Sequence, residues 1–187
     1  MRRLTALAAL GAVVLGGSLV SGAAGELAAP DKPTVSTDTP VWTDEQNATF
    51  VLSGSQNTAS FICRLDSGAA GWGSCTSPVS YPSLTEGGHT FQVRALDASG
   101  NQSPPATFSW TVDVTAPVLP GDVAVEATSP AGAIVSFAAT DNLDPAPTIA
   151  CTHPPGSTFP LGNTDVTCTA TDAAGNASAG VVRIAER

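Results

Sequence analysis

Apolar and polar side chains alternate one by one in several segments of the chain. In the first half, the alternating apolar positions are Ala48, Phe50 and Leu52; Phe61, Cys63 and Leu65; Phe91, Val93 and Ala95; and Phe108, Trp110 and Val112. A period of two is typical of a β-strand with one buried face. Turn-forming residues separate the segments, and no helical stripe occurs beyond the N-terminal region. The pattern therefore predicts β-strands joined by turns.

The alternation resumes after a short segment that contains proline. Its apolar positions are Val123, Val125 and Ala127; Val135, Phe137 and Ala139; Val166, Cys168 and Ala170; and Val182 and Ile184. Short strands with Gly- and Pro-rich turns are typical of β-sandwiches. Asp113–Pro117 is interpreted as a stiff linker, because Pro117 restricts the backbone around it. We predict an all-β fold of two tandem β-sandwich domains, with an extended leader at residues 25–40 and domains at residues 41–113 and 114–187.

Two segments repeat at an offset of 75 residues. Val93–Asn101 reads VRALDASGN, and Cys168–Asn176 reads CTATDAAGN. Such internal similarity indicates two domains of one supersecondary type. Each copy is a strand that runs into a tight turn, and neither contains a nucleophile or a metal-binding cluster.

The N-terminus predicts export. Residues 1–24 combine Arg2 and Arg3 with an apolar run and a small-residue end, which is typical of a cleaved signal peptide. Its removal would change the formal net charge from −9 to −11, since two arginines and no acidic residues are lost. Such an acidic chain disfavours binding to nucleic acid or to anionic membranes. We expect a secreted, extracellular monomer with no membrane span and no cofactor.

Four cysteines allow three pairings. The pairs Cys63–Cys75 and Cys151–Cys168 keep each bridge inside one predicted domain, and an exported protein retains its disulfides. A zinc site is the alternative, but zinc needs four ligands close in space. These pairs fall in different domains and contain no CxxC motif, so we predict two disulfides.

The predicted turns contain residues that could bind a calcium ion. The side-chain oxygens that a calcium ion could use belong to Asp97, Asn101, Asp113, Asp141, Asn142, Asp172 and Asn176. Turn chemistry accounts for the same residues, since Asp caps backbone N–H groups and Asn tolerates positive φ. Calcium needs six to eight converging oxygens, and the chain has no DxDxDG run. We expect no metal; if a site exists, it should lie at the domain junction, with Asp113, Asp141 and Asp172 as the candidates.

Catalysis is not predicted, whereas three aromatic residues are candidate contacts. The two histidines, His89 and His153, lie at a strand start and beside two prolines, and no GxSxG motif occurs. Trp72, Trp42 and Tyr81 are candidates for contact with a glycan or a protein, since aromatic residues on loops often anchor binding. The alternative for Trp72 is that it folds over its own sandwich edge and covers a disulfide.

Both halves resemble known families. Phe61–Asp113 resembles bacterial immunoglobulin-like repeats through FICRLDSG, WGSCTSPVSYPSL, EGGHTFQVRALDASGN and FSWTVD. Thr115–Val182 resembles the hyalin (HYR) repeat through TAPV, ATDNLDPAP and PPGSTFPLGNTDVTCTATDAAGN. The resemblance implies immunoglobulin-like sandwiches and, for HYR repeats, a role in cell adhesion. Many HYR repeats carry an early Cys-Pro where this chain reads VLPGDVAVE, so their disulfide pattern is not transferred.

These observations favour a non-enzymatic bacterial protein, secreted as an adhesion or spacer element. Its loops would contact an extracellular protein or a cell surface. The alternative is a carbohydrate-binding module that attaches to polysaccharide through exposed Trp72 and Trp42. A planar platform formed by the two tryptophans on one face would favour the alternative.

Overall fold

The computed structural model describes residues 28–67 and 71–187, and the predicted signal peptide lies outside them. The strands before the linker are β1 (Thr34–Ser36), β2 (Trp42–Thr43), β3 (Ala48–Ser53), β4 (Ser60–Leu65), β5 (Gly73–Cys75), β6 (Val79–Tyr81), β7 (Gly87–Leu96) and β8 (Ala106–Val112). Those after it are β9 (Val123–Val125), β10 (Ala133–Val135), β11 (Thr148–Cys151), β12 (Ser157–Phe159), β13 (Gly162–Thr171) and β14 (Ala177–Glu186). The predicted all-β class is confirmed. The described ranges contain no helix that is long and apolar enough to cross a membrane.

Strands β1 to β8 form the first sandwich. Its larger sheet has the order β2-β8-β7-β4-β5, and its smaller sheet has the order β1-β3-β6. Phe50 of β3 stacks on Phe91 of β7 with the ring centroids 4.3 Å apart, and Trp110 of β8 lies 5.4 Å from Phe50. These rings come from both sheets, so the aromatic cluster holds the two sheets together.

The predicted alternation is confirmed in the long strands of the first sandwich. In β3 the three predicted apolar positions are buried, and the residues between them are exposed. In β7 the alternating buried positions begin at His89, two residues before the first predicted position, Phe91. Phe61 and Leu65 of β4 and Phe108 of β8 are only partly buried, and they pack at the margin of the core.

Part of the predicted leader is a strand. Thr34–Ser36 forms β1 and pairs with β3, with Val35 opposite Leu52. Pro30 and Pro33, which precede β1, are fully buried. Proline is accepted beside an edge strand because no ladder partner needs its missing N–H. The first sandwich therefore begins before residue 41, where the sequence placed the boundary.

Strands β9 to β14 form the second sandwich. Its larger sheet has the order β11-β13-β14-β9, and β10 pairs with β12. Strand β9 runs parallel to the end of β14, whereas β13 and β14 form a long hairpin. Val135 is buried in β10, but Phe137 lies beyond that strand and is partly buried against the core. The buried core consists of Val135, Phe159, Val166, Cys168, Val182 and Ile184.

Both predicted disulfides are present, and all four cysteines are used. Cys63–Cys75 links the adjacent strands β4 and β5, where Cys63 lies opposite Gly73. Cys151 and Cys168 are direct partners in β11 and β13, with their Cα atoms 4.1 Å apart. Each bridge therefore fastens a short outer strand to the longer strand beside it.

Candidate functional site

The outer face of the larger sheet in the first sandwich carries a polar network. Successive side chains of a strand point to opposite faces, so the residues that flank buried Cys63 and Val93 face outward. Arg64 Nε donates a hydrogen bond to Gln92 Oε1, and Gln92 Nε2 donates to Thr107 Oγ1 at 3.2 Å. This network fixes the outward side chains of three neighbouring strands.

Trp72 lies against this outer face. The guanidinium carbons of Arg64 and Arg94 are 4.9 and 5.0 Å from the centroid of its ring, within the range of cation–π contacts. The indole is partly buried. Trp72 does fold onto its own sandwich, but the side chains that hold it are outward-facing arginines, whereas Cys63 of the disulfide points into the core. We call Trp72, Arg64 and Arg94 the tryptophan–arginine patch.

The other two candidate aromatics lie elsewhere. Trp42 begins β2, at the edge of the larger sheet opposite to β5, which Trp72 precedes. Strand spacing places these edges roughly 19 Å apart. Tyr81 belongs to the smaller sheet, where its ring centroid is 5.8 Å from that of Phe91, and burial raises the pKa of its hydroxyl group. The structure therefore does not bring Trp42, Trp72 and Tyr81 together on one surface.

The repeated turns have the predicted hydrogen bonds. Asp97 Oδ1 accepts from the backbone N–H groups of Ser99 and Asn101, both at 2.9 Å, and Oδ2 accepts from Asn101 Nδ2 at 2.8 Å. The side chain of Asn101 is the main cause that lowers the pKa of Asp97. Asp172 makes the equivalent bond to Asn176 Nδ2 at 2.8 Å. Turn chemistry thus explains Asp97 and much of Asp172.

Three aspartates converge where the two sandwiches meet. One carboxylate oxygen each of Asp113, Asp141 and Asp172 lies within 4.8 Å of the other two. These are the three candidates that the sequence placed at the domain junction, and the sheet register brings their carboxylates together. Thr148 at the start of β11 pairs with Thr171 at the end of β13, so the loop before β11 lies beside the turn after β13.

The linker between the sandwiches contacts the turn of Asp172 and also the first sandwich. Asn176 Nδ2 donates to the backbone oxygen of Asp113 at 2.7 Å. Glu86, which lies before β7 in the first sandwich, accepts from the N–H of Val114 at 3.1 Å. The junction therefore joins carboxylates from both sandwiches. We call Glu86, Asp113, Asp141 and Asp172 the junction cluster.

Burial and mutual repulsion perturb this cluster. Burial is the main cause that raises the pKa of Asp113 to about 6, and the nearby carboxylates of Asp141, Glu86 and Asp172 raise it further. A hydrogen bond from the Thr115 side chain is the main cause that lowers the pKa of Glu86. Burial and the neighbouring carboxylates thus destabilise the charged form of Asp113.

The histidines occupy structural positions. His89 is buried, with Nδ1 at 3.0 Å from Asp66 Oδ2 and Nε2 at 2.7 Å from the backbone oxygen of Thr85. Both nitrogens are therefore occupied in joining the start of β7 to neighbouring loops. His153 is exposed, and its ring centroid lies 5.7 Å from that of Phe159.

The second sandwich is similar to a known domain family. Residues 124–185 match the family model of the HYR domain, which confirms the resemblance predicted for that half. A search of curated proteins found no match. The resemblance of Phe61–Asp113 to bacterial immunoglobulin-like repeats stays a prediction.

The chain is also similar to several solved structures at low sequence identity. The fibronectin(III)-like modules of CbhA from Clostridium thermocellum are 12% identical, with coverage of 82% of this chain and 95% of that one and a TM-score of 0.38. The PKD domain of an M14-like peptidase from a Thermoplasmatales archaeon is 19% identical, with coverage of 46% and 96% and a TM-score of 0.33. The eight N-terminal Ig domains of Down Syndrome Cell Adhesion Molecule are 11% identical, with coverage of 83% and 25% and a TM-score of 0.37. These similarities are too weak to classify the chain further. The strand pairing of the described residues shows two β-sandwiches in tandem, and residues 124–185, within the second, are similar to the HYR domain.

Proposed function

We propose that this protein is a secreted, non-enzymatic adhesion or spacer element. The observation that carries the proposal is the match of residues 124–185 to the HYR domain, a module of adhesion-type extracellular proteins. Two disulfides support an oxidising compartment. The two sandwiches in series provide a scaffold that holds its surfaces away from the point of attachment.

The tryptophan–arginine patch is the contact surface that we propose. Tryptophan and arginine are the residue types that most often dominate binding energy in protein interfaces. The patch also places two positive charges on a chain whose formal net charge is −9. An acidic protein surface would complement it, and the hydrogen-bonded network below it limits the entropy lost on binding.

The carbohydrate-binding alternative receives less support. Two guanidinium groups lie over the ring of Trp72, so that ring offers less free area for stacking on a sugar. Trp42 lies at the opposite sheet edge and does not extend the surface. A glycan would therefore have to bind through Trp72 without a second aromatic partner from this pair.

The secreted chain immobilised on beads tests both functions. Wild-type beads should adhere to surfaces coated with acidic proteins, and Trp72→Ala should abolish this adhesion, whereas Trp42→Ala should retain it. Cellulose, chitin and peptidoglycan form the second arm. Retention on one of these polysaccharides that is lost in Trp72→Ala would favour the alternative. Equal binding by wild type and Trp72→Ala in both arms would refute the proposed surface.

A further inference from the structure

The junction cluster concentrates negative charge that the protein does not neutralise. Its carboxylates come from the first sandwich and its linker (Glu86, Asp113) and from the second sandwich (Asp141, Asp172). Within residues 28–67 and 71–187, the carboxylates that contact a basic side chain are Asp66, beside His89, and Asp165, beside Arg183, and neither belongs to the cluster. Carboxylates this close repel each other, and the repulsion is strongest where water is excluded.

Two oxygens of the cluster are buried without a hydrogen-bond donor. Asp113 is 0% exposed, and its Oδ2 has no partner in the described residues, nor has the buried Oδ1 of Asp141. The other oxygen of each carboxylate is held by backbone N–H groups: Asp113 Oδ1 accepts from Thr115 at 3.1 Å, and Asp141 Oδ2 accepts from Leu143 at 2.9 Å. Each side chain is thus fixed by one oxygen, while the other is left free. A buried charged oxygen without a partner is costly, and a cation would satisfy it.

Turn chemistry does not account for these free oxygens. The turns of Asp97 and Asp172 share the two hydrogen bonds that their asparagine donates, yet Asp97 belongs to no such cluster in the described residues. Asp172 retains acceptor capacity, because each carboxylate oxygen has two lone pairs. What distinguishes the second turn is its position beside Asp113 and Asp141.

The carboxylate oxygens of the cluster determine which metal ion it would bind. We propose that Asp113, Asp141 and Asp172 bind one Ca²⁺ ion between the two sandwiches, with Glu86 as a further acidic neighbour. The cluster offers only carboxylate oxygens, which are hard ligands, and contains no thiolate or imidazole that would favour zinc or copper. Two oxygens that bind the same Ca²⁺ ion lie at most about 5 Å apart, and these three oxygens lie within 4.8 Å of one another. Mg²⁺ requires shorter bonds and stricter octahedral geometry.

The ion would fasten the two sandwiches to each other. Asp113 ends the first sandwich, whereas Asp141 and Asp172 belong to the second, so one ion would bridge groups that are far apart in sequence. Ca²⁺ that binds the folded junction and not the unfolded chain stabilises the protein by mass action. This proposal does not rest on the adhesion function, since it concerns the stability of the junction and not a partner.

The test uses the full secreted chain after removal of metal with chelator. Calorimetric titration with CaCl₂ should show about one site. At a Ca²⁺ concentration one hundred times the Kd, the unfolding equilibrium should shift about 100-fold, with a rise of several degrees in the melting temperature. MgCl₂ at the same concentration should give a smaller shift. Binding of Mg²⁺ as tight as that of Ca²⁺ would refute the assignment to calcium.

Isosteric variants separate lost binding from lost folding. Asp113→Asn and Asp141→Asn retain an oxygen that accepts the backbone hydrogen bonds, and both should lose the calcium response. In chelator, Asp113→Asn should melt at or above the wild-type temperature, because the buried repulsion is relieved. Asp97→Asn is the matched control: it alters the equivalent turn and should keep the calcium response. Identical melting of wild type in calcium and in chelator would overturn the proposal, as would a calcium response that persists in both junction variants.

Discussion

Replacing Phe50 with alanine should destabilise the first sandwich and leave the second unchanged. Phe50 is fully buried and contacts rings of the facing sheet, including Phe91 at 4.3 Å and Trp110 at 5.4 Å. The buried core that contains it shares no residue with the core of the second sandwich. The loss should therefore be confined to one sandwich.

The expected size of the effect follows from the contacts that are lost. Removal of a buried phenylalanine side chain costs about 3–5 kcal/mol in all, including the contacts with its ring neighbours. A sandwich of this size has a free energy of unfolding of roughly 4–12 kcal/mol. For a domain of this length, the melting temperature should fall by roughly 12–40 °C. The first sandwich would then unfold well before the second.

The positions of the tryptophans make this measurable. All three, Trp42, Trp72 and Trp110, lie in the first sandwich, so tryptophan fluorescence follows its unfolding alone. Calorimetry in chelator follows both sandwiches. Val51→Ala, at an exposed position of the same strand, is the control and should change stability by less than about 0.5 kcal/mol. If Phe50→Ala lowered both calorimetric transitions equally, the two sandwiches would form one cooperative unit and the reasoning from separate cores would fail.

Three further perturbations address single contacts. Gly132→Ala should destabilise the second sandwich with no change in tryptophan fluorescence, because Gly132 has a φ of +108° and an added Cβ would collide with a carbonyl oxygen of β12. Replacing Cys151 and Cys168 with serine should lower the free energy of unfolding of the same sandwich by about 3 kcal/mol in urea titrations, since a loop closed over 17 residues is released. The side chain of Asn101 lowers the pKa of Asp97 below 3.8, so the stability from this turn is present above pH 3.8 and is lost as the pH falls through the lowered pKa. Asp97→Asn should therefore lose less stability than wild type below pH 4, and an equal loss would contradict this assignment.

The long strands could be predicted because their periodicity spans enough residues to be distinct. Strands β7 and β13 each have ten residues, start at the same offset of 75, and carry buried residues at alternate positions. The three-residue strands are different, since two or three residues do not define a period. Local sequence does not predict strand β1 for this reason and because prolines surround it. Its place in the sheet depends on pairing with β3, which local sequence does not specify.

The candidate site was only partly predictable. Asp113, Asp141 and Asp172 could be named as oxygen donors, but their convergence depends on the pairing of Thr148 with Thr171, a contact between residues far apart in sequence. The setting of Trp72 depends in the same way on β4 lying beside β7, which places both arginines within cation–π distance of the indole. The sequence thus indicates which side chains could bind a ligand, whereas the register of the sheets determines which of them lie close together.

The second copy of the repeated turn makes a contact with the linker in addition to the hydrogen bonds that close the turn. In both copies the aspartate and the asparagine close the turn by themselves, which is sufficient to explain why their sequences are so similar. In the second copy, Asn176 also holds the backbone oxygen of Asp113, the residue that follows β8. That contact requires a sandwich before the second one. The proposed calcium site has the same requirement, because Asp113 follows the last strand of the first sandwich. The second sandwich alone would keep its turn. It would lack the buried carboxylate of Asp113, whose unpartnered oxygen a cation would satisfy.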